Sequence, residues 1–367
     1  MELKKIILSQ FKNYESQELL PEPGLNWFTG LNGMGKTNML DAIYYLCMTK
    51  SMHGTPDRDL VRHQSSFFRL EGHFQLDSLQ RKIVAKVDPP KRKVFEANGM
   101  EYDRLADHIG LIPIVFVAPS DAALVQGGSE DRRRFLDNAL SQTDPLYLNH
   151  LITYNRLIKQ RNAALKQMGQ NGHFDRTLFR TYDRQLLMPA SYIFQQRTEY
   201  LNVFLPRFQQ YYQIICQDRE MVDCRYQSHL QEQSMDAWLE SNWEKDRILQ
   251  RTNAGIHRDD LVFYIFDRPV KRFASQGQMK SFVLALKLAQ YDTLQNSTQR
   301  IPILLLDDIF DKLDQERVRK LIELVQEPNF GQVFITDTRK ERVESLAGTG
   351  NRKIRIFEVE DGKISNT

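Results

Sequence analysis

A glycine-rich loop near the N-terminus carries the clearest chemical signal of this sequence. The pattern Gly30-x-x-x-x-Gly35-Lys36-Thr37 follows a short apolar run and opens a stretch with helical spacing. Glycines let consecutive backbone N–H groups converge on phosphate oxygens, and a helix N-terminus adds a positive dipole. The alternative is a glycine turn that happens to lie beside a solvated lysine. Such a turn would not need a strand before it and a helix after it, so the pattern predicts a phosphate-binding loop.

The loop residues have distinct expected roles. Lys36 should reach the β- and γ-phosphates of a bound triphosphate, and we count it as catalytic for that reason. The hydroxyl of Thr37 should help to complete the coordination shell of Mg2+. The predicted cofactor-binding positions of the loop are Gly30, Leu31, Asn32, Gly33, Met34, Gly35, Lys36, Thr37 and Asn38.

Two adjacent carboxylates follow a second apolar segment. Residues 301–306 form a nearly continuous apolar run, which is typical of a strand buried on both faces of a parallel sheet, and Asp307 and Asp308 come directly after it. Asp307 would hold Mg2+, whereas Asp308 would orient or deprotonate the attacking water as a general base. Two solvated acids at a strand end are the alternative, which the phosphate loop disfavours.

A short polar turn, Ser275-Gln-Gly-Gln278, begins a predicted helix about thirty residues before the acidic pair. Ser275 and Gly277 could present a hydroxyl and bare amides to a phosphate at a helix N-terminus. Taken alone, the turn is as well explained by an ordinary helix cap.

Three regions that differ in residue composition and pattern must position these residues. Residues 1–118 predict an N-terminal lobe rich in short strands, residues 119–250 a helical arm with few glycines, and residues 251–367 a C-terminal lobe. The predicted strands are 3–8, 25–29, 68–74, 82–87, 112–117, 261–266, 301–306, 333–336 and 354–359. The acidic pair and the phosphate loop then meet where parallel strands end, at the carboxyl edge of an α/β sheet.

Composition sets the broad class of the protein. Fifty Lys and Arg against forty-seven Asp and Glu give 367 residues a net charge of +3. Cys47, Cys216 and Cys224 have neither an even number nor zinc-ligand spacing, so a disulfide scaffold or a zinc site is not expected. No apolar run approaches the roughly 18 residues that a membrane span needs, and a cytoplasmic protein is expected.

Basic residues are concentrated on the predicted arm. Between residues 151 and 211, nine Lys or Arg stand against three Asp or Glu, a local balance of +6 that exceeds the charge of the whole chain. Since Lys and Arg contacts to phosphate dominate sequence-independent DNA affinity, we select Arg156, Lys159 and Arg161 as DNA-binding candidates. A merely solvated helical surface remains open. For Arg132, Arg133 and Arg134, phosphate contact and internal salt bridges have equal weight.

The order of these motifs resembles the head domain of the ABC-type ATPases, particularly the SMC-like branch that works in DNA repair. The resemblance rests on the phosphate loop, the Ser-x-Gly-Gln turn, the acidic strand and the strand ending at Thr336. It is strengthened by four further segments, which are Phe11-Lys-Asn-Tyr14, Arg132-Arg-Arg-Phe-Leu-Asp137, Gly255-x-His-Arg-Asp-Asp-Leu261 and Asp311-Lys-Leu-Asp314. Together these motifs span nearly the whole chain.

The resemblance implies an α/β fold: an ABC-type P-loop ATPase head built from both lobes, with the helical arm inserted. It implies ATP and Mg2+ as cofactors and an ATP-dependent homodimer, in which Ser275, Gly277 and Gln278 contact the nucleotide held by the other subunit. Lys12 and Asn13 would lie near the nucleotide. The expected function is a DNA clamp in recombinational repair and replication restart, which acts on single-stranded or gapped DNA, helps to load recombinase with RecO and RecR type mediators, and involves no membrane. A passive DNA-binding scaffold with a nucleotide that is not hydrolysed is the alternative.

Some positions depart from the pattern of the ABC class. Asp308 is a shorter base than the glutamate usual in transporters, and Asp311-Lys312 replaces a Ser-Glu-like pair, so slow hydrolysis is expected. Thr336 stands where transporters carry a histidine, which makes it a candidate sensor of the γ-phosphate. Gln126 lies in the region of the magnesium-sensing glutamine, although it could equally be an ordinary loop residue.

Overall fold

The computed structural model describes residues 1–172, 174–216, 220–310, 314–339 and 352–366, which divide into two units. The first unit combines Met1–Asp121, Tyr211–Gln217 and Lys280–Thr367, and the second combines Ala122–Gln210 and Asp218–Met279. Along the described part of the chain, no helix has both the length and the apolar character needed to cross a bilayer.

Strands and α-helices make up most of the regular structure of the described residues. The strands are β1 (Glu2–Phe11), β2 (Tyr14–Leu19), β3 (Leu25–Thr29), β4 (Phe68–Leu76), β5 (Leu79–Asp88), β6 (Arg92–Ala97), β7 (Met100–Glu101), β8 (Ile114–Val117), β9 (Val222–Gln227), β10 (Asp260–Ile265), β11 (Arg268–Pro269), β12 (Ile303–Leu306), β13 (Val333–Asp337), β14 (Ile354–Glu360) and β15 (Lys363–Asn366). The α-helices are α1 (Lys36–Met48), α2 (Ala123–Gln126), α3 (Ser129–Thr143), α4 (Pro145–Asn171), α5 (Arg176–Cys216), α6 (Met235–Ser241), α7 (Trp243–Leu249), α8 (Val270–Phe273), α9 (Gln276–Thr298) and α10 (Gln315–Val325).

Two sheets build the first unit. One is antiparallel, in the order β2-β1-β4-β5-β6-β7, and the other follows the order β15-β14-β3-β13-β12-β8. In the second sheet the strands from β14 to β8 are parallel, and only β15 pairs antiparallel with β14. The parallel strands β3, β12 and β8 are buried along their whole length, as expected for a sheet that is covered on both faces.

Helix α1 shares one apolar core with both sheets. The core cluster joins α1 residues such as Leu40 and Ile43 to Leu8 and Phe68 of the antiparallel sheet and to Phe28 of β3. Almost every residue of α1 is buried, and a helix that is apolar on nearly all sides is typical of a position enclosed by other elements. The core therefore fixes α1, and with it the phosphate loop that precedes this helix.

The second unit is mainly helical, but it also contains a three-stranded sheet in the order β11-β10-β9. Strand β9 lies inside the stretch predicted to be helical, and its register with β10 runs from Asp260 opposite Gln227 to Ile265 opposite Val222. Val222 and Cys224 are buried and alternate with less buried residues. This two-residue period is the signal that the helical prediction overlooked.

Helices α4 and α5 pack against each other in this unit. Tyr192 of α5 donates its hydroxyl proton to Asp144, which caps the start of α4, and Arg197 of α5 donates to the hydroxyl of Tyr147. Further along α4, Arg161 pairs with Asp183 of α5. The start of α4 thus contacts the middle of α5, whereas Arg161, later on α4, contacts a residue nearer the start of α5, so the two helices form an antiparallel hairpin.

Candidate nucleotide site

The phosphate loop leaves strand β3 at the carboxyl edge of the parallel sheet. Gly30, Gly33 and Gly35 have φ angles of 147°, 85° and 114°, which side-chain-bearing residues rarely adopt. A Cβ atom on Gly30 would lie 2.3 Å from the carbonyl oxygen of Val359, and one on Gly35 would lie 2.4 Å from Nδ2 of Asn13. At these two positions both the backbone angles and the available space require glycine.

Lys36 curls back over the loop that precedes it. Its ammonium donates hydrogen bonds to the carbonyl oxygens of Gly30 and Leu31, at 2.7 and 2.9 Å. The positive charge is therefore held at the loop whose amides were predicted to bind phosphate. A pocket at this position is lined by Asn32, Gly33, Gly35, Lys36, Thr37, Asn38, Asp308 and Thr336.

Asp307 meets the start of α1 across the sheet edge. The Thr37 hydroxyl donates to Oδ1 of Asp307 at 2.8 Å, and the Thr336 hydroxyl donates to the same oxygen at 2.8 Å. Asp307 is almost fully buried, so its carboxylate is held by these contacts and not by solvent. Two residues that are 270 positions apart in sequence thus come together as predicted.

This donor set suits Mg2+. The hydroxyl and carboxylate oxygens of Thr37 and Asp307 are hard ligands, which Mg2+ prefers, and Mg2+ in nucleotide sites usually takes one or two carboxylates together with phosphate oxygens and water. Among the described residues, no group of three or more His, Cys, Asp or Glu side chains could hold a metal alone.

Asp308 lies beside this pair in an unusual backbone conformation. Its φ angle is 46°, in the left-handed region, and its N–H donates to the Thr336 hydroxyl at 2.9 Å. Asp and Asn tolerate this region better than most residues with side chains. Asp308 also lines the pocket of the phosphate loop. Asp308 therefore lines the same pocket as Lys36, Thr37 and Thr336.

The β1–β2 turn supports the phosphate loop from outside. Asn13 donates from Nδ2 to the Met34 carbonyl at 2.9 Å and accepts from Asn38 at 2.7 Å. The ammonium of Lys12 lies 2.6 Å from the buried carboxylate of Asp41 on α1. In this structure, therefore, Asn13 holds the loop backbone directly, whereas Lys12 fastens the turn to the helix behind it.

The Ser275-Gln-Gly-Gln278 turn starts α9 as a reciprocal cap. The Ser275 hydroxyl accepts from the Gln278 N–H at 3.2 Å, and the Gln278 side chain accepts from the Ser275 N–H at 2.7 Å. Ser275 is exposed, and Gln278 also donates to Glu220 at 2.7 Å. The helix cap is thus present, and contact with nucleotide through Ser275, Gly277 and Gln278 stays a prediction.

Of two further sequence features, the structure describes Gln126 but not the Asp311-Lys312 pair. Gln126 is exposed at the end of α2, and its amide contacts the sulfur of Met279 at 3.5 Å, directly after the Ser-x-Gly-Gln turn. Its role as a magnesium-sensing glutamine stays a prediction. Asp311, Lys312 and Leu313 lie outside the described residues.

Arg161 does not have the exposure that DNA contact requires. Its side chain is fully buried, and it pairs with Asp183 and Asp246, both at 2.8 Å. It also donates to the Thr252 hydroxyl at 2.9 Å. Its charge is thus used to hold α4, α5 and α7 together, and we correct its selection as a DNA-binding residue.

The spacing of buried residues along α4 distinguishes Arg161 from Arg156. Tyr154, Leu157, Arg161 and Leu165 recur at intervals of three and four residues, and all four are buried. They form the inward stripe of α4. Arg161 is five residues from Arg156, which places the two side chains on different sides of the helix.

The exposed cations of the hairpin are Arg156, Lys159 and Lys166 on α4 and Arg180 and Arg184 on α5. We call these five residues the basic face. Within the described residues none of them forms an ion pair, and α4 contains no Asp or Glu at all. Lys166, Arg180 and Arg184 were counted in the local charge balance, but their individual exposure could not be read from it.

Arg161→Met is expected to lower the free energy of unfolding by about 3–5 kcal/mol, because it leaves two buried carboxylates without their main counter-charge. Urea denaturation of the whole protein measures the change. Lys159→Met, two residues earlier and exposed, is the matched control and should alter stability by less than about 0.5 kcal/mol. Equal stability of the two variants would show that the buried pairs contribute nothing.

Other basic residues are also used inside the second unit. Arg132 pairs with Asp260 at 2.6 Å, and Arg133 donates to the carbonyl of Asp259 at 2.7 Å. The carboxylate of Asp259 pairs with the buried Arg197 at 2.7 Å. Burial lowers the pKa of His257 to about 4, so this imidazole is neutral near pH 7. The residues around His257 and Asp259 thus form a hydrogen-bond network that joins α3 and α5 to β10.

Comparison with known proteins identifies the family. A family model described as the RecF/RecN/SMC N terminal domain matches residues 2–365. The DNA replication and repair protein RecF of Cytophaga hutchinsonii is 44% identical over 367 residues, which cover 100% of this chain and 97% of that protein. This chain belongs to the RecF branch of that family. The RecF protein of Phocaeicola vulgatus is 41% identical and covers 100% of this chain and 98% of its own length.

Solved structures agree with the assignment to this family. Structures of the recombination mediator protein RecF with ATPrS and with ATP, both described within the RecFOR pathway, superpose with TM-scores of 0.89 and 0.88. Both are 27% identical and cover 100% of this chain and 98% and 97% of theirs. An Smc head bound to ScpA is 15% identical with a TM-score of 0.59, which supports the fold alone. The predicted ABC-type ATPase head fold is confirmed.

Proposed function

We propose that this chain is an ATP-dependent DNA clamp of recombinational repair and replication restart, which acts in the cytoplasm. It binds ATP with Mg2+, dimerises, engages single-stranded or gapped DNA, and helps to load recombinase together with RecO and RecR type mediators. Slow hydrolysis of ATP resets it. The full-length similarity to DNA replication and repair proteins and to RecF solved with ATP supports this proposal.

The contact between Thr37 and Asp307 carries the nucleotide part of the proposal. A hydroxyl at the first turn of α1 and a carboxylate at the end of β12 lie 2.8 Å apart, directly beside a loop of bare amides and the Lys36 ammonium. Triphosphate with Mg2+ needs these groups in this arrangement. Mg2+ bound there would neutralise charge that develops on the phosphates.

The chain's own residues would then divide the work as follows. The loop amides and Lys36 bind the phosphates, and Thr37 and Asp307 orient the oxygens around the metal position. Asp308, which lines the same pocket, accepts a proton from the attacking water. Asp308 is a shorter base than the glutamate usual in transporters, which would suit a slow switch.

Dimerisation would complete the site from the other subunit. Ser275 is exposed, and the cap formed with Gln278 fixes the orientation of the first amides of α9. Such amides attract anions. ATP would favour the closed dimer because only that state provides both the phosphate loop and the partner's turn, so its differential affinity shifts the equilibrium.

The basic face would bind the DNA backbone. Arg156→Glu combined with Lys159→Glu is expected to weaken DNA binding by roughly tenfold or more at low salt, because each reversal removes a phosphate contact and adds repulsion. The slope of the logarithm of affinity against the logarithm of salt concentration should fall by about two. Fluorescence anisotropy with labelled single-stranded and gapped duplex DNA measures both quantities.

Arg319→Glu serves as the control for this experiment. Arg319 is an exposed residue of α10 in the first unit. This variant should keep the affinity and the salt dependence of the wild type. If the double reversal on α4 also left both unchanged, the DNA site would have to be placed elsewhere.

Turnover in the presence of DNA tests the clamp against the passive scaffold. A clamp that is reset by hydrolysis should release phosphate from ATP, and DNA should change that rate. We would measure phosphate release with no DNA, with each DNA type, and at two salt concentrations. Stoichiometric ATP binding without any release of phosphate would favour the scaffold.

A further inference from the structure

Thr336 occupies the strand between the two halves of the candidate nucleotide site. Strand β13, which carries Thr336, pairs with β3 on one side and with β12 on the other. The phosphate loop follows β3, and Asp307 and Asp308 follow β12. A side chain at the carboxyl end of β13 is therefore placed to contact residues that come from both neighbours.

The hydroxyl of Thr336 joins the two acidic residues. It donates its proton to Oδ1 of Asp307 at 2.8 Å and accepts the N–H of Asp308 at 2.9 Å. Thr336 is completely buried, and it also lines the pocket of the phosphate loop. One side-chain oxygen thus fixes the carboxylate of Asp307 and the backbone of Asp308 at the same time.

This arrangement limits what else Thr336 can do. A threonine hydroxyl has a single proton to donate, and that proton is directed to Asp307. A phosphate oxygen needs a donor, so contact with the γ-phosphate would require Thr336 to abandon Asp307. The geometry consequently favours a role through the two aspartates over direct sensing of the γ-phosphate.

We propose that Thr336 is a positioning residue for Mg2+ binding and for ATP hydrolysis, a role that rests on the proposed function above. Its bond to Oδ1 orients the carboxylate of Asp307 together with Thr37, which donates to the same oxygen. Its bond to the N–H of Asp308 holds that residue at a φ angle of 46°, which is costly for a residue other than glycine. Thr336 therefore determines where the general base points.

The test compares Thr336→Val, which removes the hydroxyl at nearly constant volume, with Thr336→Ser, which keeps it. Thr336→Val should lower the rate of ATP hydrolysis by about tenfold or more and raise the Mg2+ concentration needed for half-maximal ATP binding by about the same factor. The affinities for ATP and for ADP without Mg2+ should each stay within about threefold of the wild type. Thr336→Ser should recover most of both losses. Thr181→Val, on the exposed side of α5, is the matched control.

Different results separate the possible failures. A wild type that neither binds nor hydrolyses ATP overturns the proposed function. If the wild type binds ATP but Thr336→Val shows an unchanged Mg2+ requirement, only the role of Thr336 is overturned. This comparison uses ATP binding alone and does not require that the protein hydrolyse ATP. A selective loss of ATP affinity over ADP affinity without Mg2+ would instead assign Thr336 to the γ-phosphate.

If Thr336→Val does not fold, Thr336→Ala takes its place. A Thr336→Ser variant as defective as Thr336→Ala would then assign the effect to packing of the methyl group.

Discussion

Lys36→Ala is expected to weaken ATP binding by about 100-fold and to remove the ATP-dependent increase in sedimentation mass. The Lys36 ammonium donates two hydrogen bonds to loop carbonyls and is positioned to donate to phosphate oxygens when a triphosphate enters. Hydrogen bonds to charged groups contribute about 1.5–3 kcal/mol each, so two of them at the lower limit of that range would supply about 3 kcal/mol. At about 1.4 kcal/mol per factor of ten, that is about 100-fold in affinity.

Titration calorimetry gives the affinity, and sedimentation velocity with Mg2+ and ATP gives the mass. Lys245→Ala is the matched control, since Lys245 is an exposed lysine of α7 with no ion pair among the described residues. The control should bind ATP and gain mass like the wild type. A Lys36→Ala protein that still gained mass with ATP would separate dimerisation from the phosphate loop.

Asp308→Asn is expected to slow ATP hydrolysis by about 100-fold or more while ATP binding and dimerisation persist. General-base catalysis typically contributes about 10²–10⁴-fold, and asparagine cannot accept the proton. The substitution preserves the shape of the side chain. It also suits the φ angle of 46°, since asparagine tolerates the left-handed region as well as aspartate does. The backbone bond to Thr336 should therefore survive.

Single-turnover hydrolysis measures the chemical step of this variant apart from product release. The ATP-bound dimer should live longer than that of the wild type, because the step that resets it is missing. Asp236→Asn, an exposed residue of α6, controls for the loss of one carboxylate. Hydrolysis at the wild-type rate in Asp308→Asn would remove Asp308 from its role as the base.

The sequence predicted the phosphate loop and its flanking elements well because their signals are local. Residues 25–29 were predicted as a strand and form β3, and the helical stretch predicted to open at the loop is α1. Glycines at fixed spacing report directly on backbone angles, as the positive φ values of Gly30 and Gly35 show. The acidic pair was placed correctly for the same reason, since a continuous apolar run specifies a buried strand.

Whether each basic residue is buried or exposed could not be predicted from the net charge. Arg161 and Arg156 contribute equally to the local balance, yet one is fully buried in ion pairs and the other is exposed. The deciding factor is the presence of Asp183 and Asp246, which come from α5 and α7. Such long-range partners leave no local pattern, although the position of Arg161 in the apolar stripe of α4 hinted at its burial.

The contacts of Thr336 in the candidate site could not be predicted either, because they too come from distant parts of the chain. The sequence placed it at the end of a strand and, by resemblance, near the γ-phosphate. Its two hydrogen bonds depend on the order β12-β13-β3, which no single strand encodes. Similarly, β9 was hidden in a helical stretch because six residues with a two-residue period are a weak signal between long helices.

Crosslinking between two differently labelled chains tests the central claim most directly. One chain carries Leu31→Cys, at the exposed side chain of the phosphate loop, and the other carries Phe273→Cys, at an exposed side chain two residues before Ser275. Both carry Cys216→Ser, since Cys47 and Cys224 are already buried. We expect a short bismaleimide to join the two chains when ATP and Mg2+ are present, and not without nucleotide or in a Lys36→Ala background. If no product between chains formed with ATP, while a single chain with both cysteines crosslinked internally, the proposed completion of each site by the partner subunit would be contradicted.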